Sequence, residues 1–151
     1  MNQNQSISGK RRARKLALQS LYQWLMSGAE LSEIEAQFCA ANNMDKVDVV
    51  YYRKLLHGVP SHLSALEAAL TPLLDRPIDS LNPVELTILR LCAFELFHCI
   101  EIPYRVILDE SVSLAKAFGS QDGHRYVNGV LHNLAQTVRT IEIKSMNRDV
   151  S

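Results

Sequence analysis

Residues 84–97 are apolar on almost every side of a helix. Asn82-Pro83-Val84-Glu85 is a strong helix start. Asn caps the free N–H groups, Pro occupies the first helical position, and Glu favours the positive end. The segment then carries Val84, Leu86, Ile88, Leu89, Leu91, Phe94, Leu96 and Phe97 around its circumference. A helix with no polar face has to be buried on all sides. Whatever else this chain does, it must wrap other elements around this one.

The remaining periodicity is also helical. A first helix spans about Ser8 to Ser27, with Leu18, Leu21, Tyr22 and Leu25 at i, i+3, i+4 and i+7. Gly28 breaks it. A second runs near Leu31 to Ala41, and a third spans about Val47 to His57. In the third, Val47, Val50, Tyr51, Lys54 and Leu55 trace the inner side, and Gly58 ends it. Ser61 is positioned to cap a fourth helix bearing Leu63, Leu66, Ala69, Leu70 and Leu73. After the central helix, Pro103 opens a helix that ends at Phe118-Gly119. A last helix carries Tyr126, Val127, Val130, Leu131, Leu134 and Val138. The expectation is an all-α, compact bundle of about seven helices in two small helical subdomains, about 8–75 and 80–139. Asp75 to Pro83 is the hinge, and a polar tail over 140–151 is expected to fray.

Charge is sorted along the chain. Lys10, Arg11, Arg12, Arg14 and Lys15 are five of 16 basic residues, and no Asp or Glu precedes Glu30. The other 11 basic residues face 16 acidic ones, leaving the body at net −5. Cations at a helix start oppose its dipole by a few tenths of a kcal/mol each, roughly. Cations also surround the first turns, which predicts turns that project beyond the body. A solvated basic end serving solubility is the bland account. Five cations in six residues without a nearby acid favour a polyanion partner, most often nucleic acid. A targeting peptide fits poorly, because Gln19 and Gln23 make the following segment amphipathic. Tyr22 and Trp24 follow one and two turns later, and rings beside cations are suited to stacking on bases, although Tyr22 belongs to the apolar stripe and reads as core and Trp24 lies between faces, open to either role.

Other chemistry is scarce. His57, His62, His98, His124 and His132 contain no i, i+4 pair, and no metal site is expected. Phosphate loops, nucleophile elbows and dinucleotide fingerprints are absent, so no cofactor and no catalytic residue is nominated. Cys39, Cys92 and Cys99 lack CxxC spacing. Cys92 and Cys99 are about 10 Å apart along one helix, beyond disulfide reach, which fits reduced thiols in the cytoplasm. No run approaches the roughly 20 apolar residues that span a bilayer. Gly129 inside the last helix costs about 1 kcal/mol against Ala. Close helix packing is the safer explanation, and a backbone face cleared for a ligand is the other.

Six ordered blocks resemble the NusB family of transcription antitermination factors. They are Arg11-Arg12-Ala-Arg14-Lys-Leu-Ala17-Leu-Gln19-Ser-Leu21-Tyr22-Gln23, Asp48-Val-Val-Tyr51-Tyr52-Arg53-Lys-Leu55-Leu56-His-Gly58-Val59 and Glu85-Leu-Thr-Ile88-Leu89-Arg90-Leu-Cys-Ala-Phe94-Glu95-Leu96. The others are Ile102-Pro103-Tyr104-Arg105-Val106-Ile-Leu108-Asp109-Glu110, Ala115-Lys116-Ala-Phe118-Gly119 and Tyr126-Val127-Asn128-Gly129-Val130-Leu131. The likeness covers about residues 10 to 139. It implies a non-catalytic adaptor that binds single-stranded boxA RNA of ribosomal RNA transcripts. It implies pairing with the ribosomal protein NusE, and action on the RNA polymerase elongation complex with other Nus factors. By position, Lys10, Arg11, Arg12, Arg14 and Lys15 would face RNA, with Phe118, Asp122, Tyr126 and Asn128 on the same RNA-facing side. Asp79 and Glu85 would meet the basic partner. Lys15 stands where the family often has an acid, Asp109 where Asn is frequent and His132 where Asp is. Homodimerisation of the free protein stays open. So does a helical protein-interaction module. A relation to the N-terminal domain of an rRNA cytosine methyltransferase is the remaining alternative, but no Gly-rich loop for its cofactor occurs in these residues.

Overall fold

The computed structural model describes the backbone of residues 3–150 and the side chains of residues 7–147. Among the described residues there are eight α-helices and no β-strand. These are α1 (Gln3–Ser27), α2 (Leu31–Ala41), α3 (Val49–Ser61), α4 (Leu63–Leu70), α5 (Pro83–His98), α6 (Tyr104–Phe118), α7 (Gly123–Val138) and α8 (Thr140–Val150). Two single 3-10 turns, Thr71–Leu73 and Ile78–Ser80, punctuate the stretch between α4 and α5. The chain divides into two compact units, residues up to Leu63 and residues from Ser64 onward. The Asp75–Pro83 stretch, read from its prolines as a hinge, therefore lies within the second unit.

In the first unit α1 packs on α3 and α2. Gly28, at φ 68°, ends α1 in a left-handed conformation that an L side chain adopts only with strain. The inner side of α3 is Tyr51, Tyr52, Leu55, Leu56 and Val59. Val50 is 81% exposed and Lys54 is also outside, so the buried stripe differs from the expected one. Burial of Leu55, Leu56 and Val59 sets this face, and on it the Tyr52 hydroxyl meets Ser20 Oγ at 2.8 Å inside the unit. Burial of Val59 also carries α3 past Gly58 to Ser61, with Pro60 inside the last turn. Ser61 donates to the His57 carbonyl rather than capping α4. Tyr22 proves exposed, and the α1 core is Ala13, Leu16, Ala17, Leu18, Ser20 and Leu21.

In the second unit α5 packs against both α6 and α7, which pack on each other. Every residue from Glu85 to Leu96 is buried. Asn82 Oδ1 accepts from the N–H groups of Val84 (2.9 Å) and Glu85 (3.3 Å), with Pro83 at the start of α5. At the other end Arg139, 4% exposed, is spent entirely on carbonyls and one carboxylate. Its Nε donates to Leu96 O (2.8 Å) and Nη2 to Glu95 O (3.2 Å) and Cys99 O (3.1 Å). Nη1 donates to Ile102 O (2.9 Å) and Glu142 Oε1 (2.6 Å). All five guanidinium donors are used.

Glu142 also accepts from the Tyr104 backbone N–H at 2.9 Å, the first residue of α6. The stretch after Arg139 is therefore helix α8 rather than a frayed tail, because one carboxylate ties it to both Arg139 and α6. Ser151, the last residue of the expected tail, lies outside the described residues.

Arg139→Leu is expected to destabilise the protein by about 3 kcal/mol, since it orphans buried carbonyls and removes the cation from Glu142. Arg139→Lys, with three donors for five acceptors, should recover only part of that. Urea unfolding followed by circular dichroism measures both; a Leu variant as stable as the parent would remove Arg139 from this role.

Candidate nucleic-acid interface

Helix α1 begins at Gln3, so Lys10 to Lys15 lie two turns in, past the first turn where the dipole acts. The cluster does not project beyond its unit. Ala13, Leu16 and Ala17 are buried, and the Asp48 N–H donates to the Gly9 carbonyl at 3.1 Å. The five cations divide by helix face. Lys10 and Arg14, four residues apart, lie against the start of α3. Lys10 Nζ is 3.3 Å from Asp48 Oδ2 and 5.5 Å from the Tyr51 ring centroid. Arg14 is 3% exposed, with its guanidinium 5.8 Å from the same ring. Asp48 Oδ1 caps α3 by accepting from Tyr51 N–H at 3.0 Å. An acid and an aromatic face thus admit two cations to the interior side, the second by cation–π attraction. Arg11, Arg12 and Lys15 point outward and are exposed. The expectation of a helix start ringed by stranded cations is corrected: a carboxylate 38 residues on takes Lys10, and three cations form the open face.

In the second unit, Phe118 ends α6 half-buried, and the exposed Asp122 precedes α7 without capping it through its side chain. The 119–122 loop is held from beneath by α5. Glu85, 8% exposed, accepts from Ser120 Oγ at 2.8 Å. A Cβ on Gly123 would overlap the Glu85 carboxylate, so a larger residue at the start of α7 requires that side chain to move. The carboxylate sits at the N-terminal end of α7, where negative charge is favoured. Glu85, nominated for a partner surface, is thus committed to the interior. Asp79 lies exposed in the Ile78–Ser80 turn.

Tyr126 is half-buried on the first turns of α7, and burial pushes its hydroxyl pKa upward. Its hydroxyl accepts from the Asp75 N–H at 3.4 Å, and the Arg76 guanidinium lies 4.8 Å from its ring centroid. Asn128 and Gly129 are exposed, and among the described residues no atom beyond the adjoining residues and backbone of α7 lies within 4 Å of where a Gly129 Cβ would be. Close helix packing therefore does not explain Gly129. Sequence reasoning missed Asp75 and Arg76, which show no period. Their one signal was an adjacent Asp-Arg pair before Pro77.

Two all-helical units, one with an outward cationic helix face and one with an aromatic-bearing loop–helix start, define a class of small all-helical proteins. The sequence profile of the NusB family matches residues 11–136. The chain belongs to the NusB family. It is 68% identical over 145 residues to the transcription antitermination protein NusB of Legionella pneumophila (strain Corby), covering 96% of this chain and 99% of that one. It is 51% identical over 142 residues to the NusB of Pseudomonas savastanoi pv. phaseolicola, covering 93% and 86%. Among solved structures, T. maritima NusB superposes with a TM-score of 0.75 at 25% identity, covering 84% of this chain and 90% of that chain. A crystal structure of antitermination factors NusB and NusE in complex with dsRNA gives the same TM-score and identity, over 84% and 96%.

Gly123→Ala is expected to cost about 2 kcal/mol, the scale of overpacking a filled site. Glu85→Ala removes the obstructing carboxylate, so the double variant should be more stable than the sum of the two losses predicts. Strict additivity in thermal unfolding would show that the two residues do not meet.

Proposed function

We propose that this chain is a non-catalytic transcription antitermination adaptor. It binds single-stranded boxA RNA of ribosomal RNA transcripts together with the ribosomal protein NusE, and acts on the RNA polymerase elongation complex with other Nus factors. The observation that carries the reading is an α1 face of Arg11, Arg12 and Lys15, open to solvent, on a chain of the NusB family. The NusB–NusE complex with dsRNA supports the pairing of this fold with NusE and with RNA as a class of ligand.

Roles follow from exposure. Arg11, Arg12 and Lys15 meet phosphates, which supplies affinity with little sequence preference. Lys10 and Arg14 hold that face against α3, and Lys10 remains partly open at its rim. Phe118, Asp122, Tyr126 and Asn128 read bases of unpaired RNA through rings and polar groups. Asp79 contributes to an acidic surface that suits a basic ribosomal protein. Glu85 acts on the partner only through the loop it supports.

Neutralising about three phosphates of a single strand gives a slope of log K against log salt of about −2. Replacing Arg11 and Arg12 by Ala should weaken boxA binding and remove more than half of that slope. Fluorescence anisotropy over a salt series, with scrambled and duplex RNA as controls and NusE present or absent, is the measurement. An unaltered slope rejects the assignment, and preference for an acidic peptide over RNA points to a protein-interaction module instead. Asp79→Lys should weaken NusE binding in calorimetry while leaving the melting temperature unchanged; undiminished binding removes Asp79 from that surface.

A further inference from the structure

Arg76 is held in a way that surface stability does not explain. Its Nε donates to Asp75 Oδ1 at 2.7 Å and its Nη2 to Asp75 Oδ2 at 3.1 Å, a two-pronged pair between chain neighbours. Both side chains remain more than half exposed. Exposed pairs of this kind contribute little to folding, because water screens them and two long side chains must be fixed. The pair is nevertheless aimed. Asp75 N–H reaches the Tyr126 hydroxyl, and the guanidinium is carried onto the Tyr126 ring. The hydrogen bonds from Arg76 hold the Asp75 carboxyl below the usual carboxylate range, so the clamp is closed at neutral pH.

This arrangement leaves a particular surface. The guanidinium carbon lies 4.8 Å from the tyrosine ring centroid, one donor edge is filled by carboxylate, and about half of the Arg76 side chain remains exposed. The Asp75 charge cancels that of Arg76 locally, so an incoming phosphate meets no net attraction. A flat, delocalised, charge-compensated plane is suited to stacking on a nucleobase, a role that Arg planes and aromatic rings share in unpaired RNA recognition. Gly129, at i+3 from Tyr126 and so beside it on the α7 surface, has no side chain to screen the flank of the platform.

The geometry points to Arg76 as a stacking platform: clamped by Asp75 over Tyr126, it receives one unpaired base of the bound RNA. This inference rests on the RNA-binding reading above and adds to it a base-contacting residue.

The test uses the full chain and single-stranded boxA RNA, together with a set of the same RNAs carrying one abasic ribose at each position in turn. Arg76→Ala should weaken binding of intact RNA by about ten-fold, within the range for losing one stacking contact. The slope of log K against log salt should not change. The loss should vanish on the RNA abasic at one particular position, where the stacked base is already missing. Arg76→Lys keeps the charge without the plane and should not restore affinity. Full restoration by lysine, a flattened salt slope, or an equal loss on every abasic RNA would each assign Arg76 to phosphate and overturn the platform. Undiminished binding by Arg76→Ala, with the parent chain still binding, overturns this inference alone. Failure of the parent to bind any of the RNAs takes down the RNA-binding reading itself. Melting curves of the exposed-site variants confirm that folding is unaltered.

Discussion

Helix α5 is buried on every side from Glu85 to Leu96, and the backbone groups that a helix leaves unpaired at its ends are met by specific side chains. Asn82 serves the first turn, and the buried Arg139 guanidinium serves the last. The second of these organises more than one helix end. By also taking Ile102 O and Glu142, Arg139 fixes the connection into α6 and the start of α8. A cation at the C-terminal end of a helix is favourable in its own right, and here low exposure leaves it little screened. At the opposite end of α5, Glu85 reaches the 119–123 segment and sets where α7 begins. The loop that bears Asp122 and leads to Tyr126 is thus positioned from the helix with the least surface of its own.

The first unit uses one sequence cluster for two purposes. Alternate faces of α1 assign Lys10 and Arg14 to the start of α3, and Arg11, Arg12 and Lys15 to solvent. The inward pair holds the outward trio on a rigid helix rather than on a loose arm. That matters for a phosphate-binding face, because affinity rises when the binding groups need not be ordered on contact. Asp48 links the two functions, since it caps α3 and pairs with Lys10.

Much of the fold was legible. Asn82-Pro83 and Pro103 marked helix starts, and Gly28 marked a stop, because capping chemistry is local. The apolar circumference of 84–97 announced the burial of 85–96, although Phe97 proves exposed and Val84 only half-buried. Less was legible where a distant partner decides. Val50 and Lys54 satisfied a helical period but lie outside, since Tyr52, Leu56 and Val59 are buried on another face of α3, where Tyr52 meets Ser20. Residues 140–150 are polar and gave no period, yet Glu142 finds Arg139 and the start of α6. Of the candidate site, the outward cations were visible as charge. Arg76 was not, because its significance lies in a ring 50 positions away along the chain.

By itself the sequence determined helical content, the Asn82 cap, the buried central helix and the sorting of charge, all properties that residues within a few turns settle among themselves. Tertiary structure alone decided which cations face out, that Glu85 turns inward and that Arg76 lies on Tyr126. Those outcomes depend on partners far along the chain, and a buried carboxylate or an aromatic face can reverse the exposure that a charged residue would have on an isolated helix.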